Sequence, residues 1–133
     1  MVRCVNPAQL QLRAEIFRRF AQTGAPPEMP DSPELRALAE RHVVGLDEHG
    51  RIRMAHPFAA HRDGARVDAA GRTWWGNCAW DGFGIVHALG LPEATVTAQG
   101  IAVRVRGGVP DETDAVFAVA VPAAHWWDDI AHT

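Results

Sequence analysis

The chain has 133 residues, 47% of them hydrophobic and 22% charged, a balance that suits one globular core and argues against disorder. No run of about 18 apolar residues and no apolar leader after Met1-Val2-Arg3-Cys4 is present, so a cytoplasmic protein with no membrane partner is expected. The net charge of −3 is uneven, with eight Arg against seven acidic residues in 1–53 and five Arg against nine in 54–133, which argues against a nucleic-acid partner.

From Pro7 to Gln22, Leu10, Ala14, Phe17 and Ala21 recur at helical spacing, and Gly24-Ala25-Pro26-Pro27 ends the helix. Asp31-Ser32-Pro33-Glu34 starts a second helix that runs to about His42. Val43-Val44-Gly45-Leu46 and Arg51-Ile52-Arg53-Met54 read as two strands around the turn Asp47-Glu48-His49-Gly50. Two helices followed by a ribbon suggest a winged-helix-like lobe over 1–57. The stretch from Arg66 to Trp75 reads as a hairpin around Ala70-Gly71. Cys78 to Leu89 reads as a helix weakened by Gly82 and Gly84. Strands are expected at Thr95–Thr97, Ile101–Arg106 and Ala115–Val121, the last as an apolar sheet centre, with a short final helix over Ala123–Ala131. The expected class is α+β, with a mixed sheet in a second lobe over 58–133.

All 13 basic residues are Arg and Tyr is absent, which removes a Lys Schiff base and a Tyr acid from the options. Cys4 and Cys78 are the only thiols, too few for a disulfide framework. Cys78 and Asp81, three apart, share a helical face, so thiol and carboxyl can converge on one small ligand. A thiol at a helix start should lean toward the thiolate. Trp74, Trp75 and Trp80 with Phe83 would form an apolar wall that keeps Asp81 available as a proton donor, with Trp75, Trp80 and Phe83 lining the pocket. The same aromatic-Cys cluster also fits a plain core. None of His42, His49, His56, His61, His87, His125 and His132 has H-x-x-x-H spacing, and a surface or core place is expected for each, with the alternative that two of them complete a Cys-His-carboxylate metal site. Asp111, Glu112 and Asp114 read as a solvated turn.

Asn77-Cys78-Ala79-Trp80-Asp81, preceded by His56-Pro57-Phe58 and Trp74-Trp75, resembles the Cys-Ala-x-Asp segment of the alkylmercury lyases. Val121-Pro122-Ala123-Ala124-His125-Trp126-Trp127 is similar to that family's Val-Pro-x-Ala-x-x-Trp segment. The resemblance implies that Cys78 binds mercury or another soft metal ion with Asp81 beside it, and that Asp81 transfers a proton, with no required cofactor. It departs from the family at Asp111–Phe117, where a second catalytic Cys is missing. A small thiol is therefore the expected co-substrate, serving as second ligand. The reading is a divergent alkylmercury-lyase-like enzyme for a small soft or electrophilic substrate, with Cys78 and Asp81 catalytic. The alternative is a non-enzymatic module that binds a metal or a small ligand on the same scaffold.

Overall fold

The computed structural model describes residues 6–130. Helix α1 (Pro7–Thr23) begins where the Asn6 side chain accepts the Ala8 N–H at 2.9 Å, and ends at Gly24, whose left-handed φ of 72° returns its N–H to the Phe20 carbonyl. Helix α2 (Pro33–Glu40) is capped by Ser32, which accepts the Leu35 N–H at 3.2 Å. It stops before His42, which turns the chain with φ 59°.

A three-stranded sheet follows, ordered β1 (Gly45–Leu46), β2 (Ile52–Ala55), β3 (Phe58–Ala59). The second sheet has the order β5-β4-β6-β7-β8, built from β4 (Ala65–Ala69), β5 (Arg72–Gly76), β6 (Glu93–Ala98), β7 (Ile101–Arg106) and β8 (Val109–Pro110). Helix α3 (Ala79–Ala88) carries the chain from edge strand β5 across the sheet to β6, beside β4. The three hairpin turns of this sheet, Ala70-Gly71, Gln99-Gly100 and Gly107-Gly108, each hold two successive residues at positive φ, the combination that matches strand twist.

The core runs through both parts of the chain. Ile85 and Val86 of α3 face Ala65, Val67 and Val96 in one buried cluster that also takes in Ile16, Phe20, Leu35 and Phe58. Phe20 stacks on Phe58 with ring centres 5.5 Å apart, and the Trp74 indole N–H donates to the Ala21 carbonyl at 3.0 Å. These two contacts tie α1 to the strands beyond it.

The class is α+β; four expectations need correction and two short strands are additional. Every strand pairing among the described residues is antiparallel, so the second sheet is not mixed. The buried residues of α1 are Ile16 and Phe20, with Leu12, Phe17 and Ala21 half-buried against the same core, so of the expected face Phe17 and Ala21 pack inward while Leu10 and Ala14 are exposed. The inward face is centred one position earlier than expected, on Ile16 and Phe20, which bury the most apolar area and leave Leu10 exposed. Strands β3 and β8 have two residues each, too short for alternation to announce them. Residues 115–121 form no strand; 115–120 are exposed and Val121 is half-buried, and the sheet ends at β8. The final helix is a 3-10 turn, Ala123–Asp128, and Ala131 lies outside the described residues.

Candidate functional site

The site is built where β5 gives way to α3. Asn77 is held on both sides: its Oδ1 lies 2.9 Å from His61 Nε2, and its Nδ2 donates to the Ile130 carbonyl at 3.0 Å. Cys78 follows as the N-cap in an extended conformation, φ −142° and ψ 176°, and its carbonyl accepts the Gly82 N–H at 3.1 Å to open the helix. Its side chain makes no cap hydrogen bond. Instead Sγ donates to Asp81 Oδ2 at 3.6 Å, so the three-residue spacing does bring thiol and carboxyl together.

Asp81 is 6% exposed, the one buried charged or polar side chain among the described residues. Two glycines allow its position. A Cβ on Gly76 would stand 2.8 Å from Asp81 Cβ, and one on Gly82 would stand 2.7 Å from Val96 Cγ1 and 2.9 Å from Ala65 Cβ. Without those atoms α3 lies directly on the sheet and Asp81 is pressed into the junction.

Burial pushes the Cys78 thiol above its ordinary value and outweighs the first-turn N–H groups of Asp81 and Trp80, which pull it down; the Asp81 charge adds to the rise. The thiolate expected from the helix start is therefore corrected to a resting thiol.

The aromatic residues separate. β5 alternates, so Trp75 leaves the sheet on the face opposite Gly76 and Asp81, while Trp74 is buried against α1. Trp80 is 63% exposed. Together with half-buried Phe83 it meets Phe117 edge-on, at 5.9 and 5.5 Å. Residues 115–121 thus lie over the outer side of α3 through Phe117. The two most evident clefts do not reach the dyad: one is lined by α1 and the loop after it, the other by Met29, Leu35, Arg53 and His61. Cys4 and His132 lie outside the described residues.

His56 was assigned no role by its spacing, yet its Nδ1 lies 3.2 Å from Asp81 Oδ1. Its ring meets Trp127 edge-on at 5.6 Å, and Trp127 stacks on His42 at 4.3 Å. Only the string His56-Pro57-Phe58 signalled this position in the sequence. No cluster of three or more His, Cys, Asp and Glu among the described residues has the geometry to hold a metal ion.

Fold and site together define an α+β protein that sets a thiol and a buried carboxyl at one helix start. The sequence model described as MerB, alkylmercury lyase, matches residues 58–133. The chain belongs to the alkylmercury lyase family. A solved structure, the crystal structure of the mercury-bound form of MerB2, superposes with a TM-score of 0.60 at 16% identity, over 84% of this chain and 62% of that one. That likeness is one of fold, and this chain spans less than two thirds of the neighbour's length. No curated protein matches.

Proposed function

We propose that the protein cleaves the carbon–metal bond of a small organomercurial, with Cys78 as metal acceptor and Asp81 as proton carrier. The observation that carries this reading is the 3.6 Å contact between Cys78 Sγ and Asp81 Oδ2 in a chain of the alkylmercury lyase family. As sulfur closes on the metal, the thiol proton passes to Oδ2 and from there to the departing carbon. S–H and C–Hg bonds break, S–Hg and C–H bonds form, and no electron changes hands. A soft thiolate suits the soft ion.

Trp80, Phe83 and Phe117 offer an apolar wall for the organic group on the outer side of α3. Trp75, on the far side of the sheet, would contribute only by supporting β5. With no Cys in residues 111–117, an added small thiol serves as the second ligand and removes the metal product. One observation favours a second reading, a module that binds the metal without turnover: residues 111–117 offer no second Cys.

The two readings part in one assay. Incubation with phenylmercury acetate and excess small thiol, with benzene release followed over time, gives repeated turnovers for the enzyme. A single stoichiometric capture at Cys78 without benzene supports the binding module.

A further inference from the structure

A carboxyl group offers two equivalent oxygens on a soft terminal torsion, so proton transfer through a buried Asp needs something to fix which oxygen faces the reacting atom. Here each oxygen has one partner: Oδ2 takes the Cys78 thiol at 3.6 Å, and Oδ1 lies 3.2 Å from His56 Nδ1. A carboxylate can only accept, so the ring nitrogen that faces it carries the hydrogen. We propose that His56 is a positioning residue: its Nδ1–H held on Oδ1 turns Oδ2 toward Cys78 and makes Oδ2 the oxygen that moves the proton. The inference rests on Asp81 being the proton carrier, as argued above.

The fold supplies the support such a role needs. Pro57 sits against α3 at Gly84, where an added Cβ would stand 3.1 Å from Pro57 Cβ, so the β2–β3 connection closes on α3 one turn beyond Asp81. The imidazole is held from another side by the Trp127 ring, which is itself stacked on His42. Two elements distant in sequence, the β2–β3 turn and the 3-10 turn at 123–128, thus meet on one ring. Through its contact with Oδ1, His56 acts on Asp81.

The test compares two amides of similar bulk. His56→Asn places an N–H close to the Nδ1 position, whereas His56→Gln carries it near Nε2, too far along to reach Oδ1 in the same way. In a Cys4→Ser background, the infrared S–H stretch reports Cys78 alone, and it moves to lower frequency when the thiol donates to a carboxylate. The expected result is a lowered S–H band in wild type and His56→Asn, and a band restored toward the free-thiol position in His56→Gln. With phenylmercury acetate, kcat in His56→Gln should fall about 10- to 100-fold with KM nearly unchanged, and His56→Asn should recover most of it. An S–H band identical in all three proteins overturns the positioning role, whatever the kinetics. Wild-type protein that cleaves no organomercurial overturns the functional reading, and the S–H band then decides the role of His56 by itself.

Discussion

Asp81 is the one buried charged side chain among the described residues. A carboxyl removed from water costs several kcal/mol unless its oxygens find partners. Both do, in Cys78 and His56. Cys78 meets the opposite constraint: burial and the neighbouring carboxylate hold its proton on, so it is a thiol at neutral pH and gains nucleophilicity only as pH rises. Alkylation of Cys78 by iodoacetamide should therefore climb at a higher pH than that of an unstructured thiol, as read by peptide mass. The linkage has a matching sign. A thiol whose folded pKa lies above its unfolded value adds stability that is complete below the unfolded pKa and is lost as pH rises through the folded one. Denaturant midpoints of wild type and Cys78→Ala should accordingly converge on the alkaline side. An alkylation profile displaced to lower pH would contradict the burial argument. The pairing of Cys78 with Asp81 was legible from a three-residue spacing. That of Asp81 with His56 was not, because 25 residues separate them and only the fold brings them together.

At the scale of elements, α3 shows why local propensity misleads. Gly82 and Gly84 read as flaws in a helix, yet both are points of close approach, to Val96 and Ala65 in one case and to Pro57 in the other. Gly82→Ala should improve intrinsic propensity and still destabilise the protein by about 1–3 kcal/mol, because the new methyl has no room in a packed junction. Chemical denaturation measures it, and a gain in stability would show that α3 can shift off the sheet. The β4–β5 turn offers the reverse case. Ala70 adopts φ 50° beside Gly71 at 75°, a conformation that Asn tolerates better than Ala, so Ala70→Asn should stabilise by about 0.5–1 kcal/mol. The hairpin itself, α1, α2 and the β6–β7 pair were visible in the sequence because their caps, turns and periodicities are local. Residues 115–121 differ for a reason outside the segment: an apolar run becomes a strand only where it pairs with a sheet, and here Phe117 packs on Trp80 and Phe83 of α3 instead.

Over the whole chain, the family match covers 58–133 and the helical part precedes it. We propose that residues 1–57 form a lobe of their own in topology, with two helices and the first two strands, while sharing one core with 58–133. Phe58 is the joint, stacked on Phe20 and edge-on to Phe17 at 6.4 Å, with Trp74 bonded to Ala21 nearby. Phe58→Ala should cost about 3–5 kcal/mol and lower a single thermal transition. Two separated transitions in wild-type protein would show instead that the lobes fold independently.

The central claim is that one thiol and one carboxyl divide the work, Cys78 taking the metal and Asp81 carrying the proton. It is tested most directly by measuring mercury retention and benzene release from phenylmercury acetate, under excess small thiol, for wild type, Cys78→Ser and Asp81→Asn side by side. Cys78→Ser should lose both retention and release, whereas Asp81→Asn should keep most of the retention and lose release by about 100-fold or more, the scale of a missing proton carrier. Full release by Cys78→Ser, or by Asp81→Asn, would contradict the account.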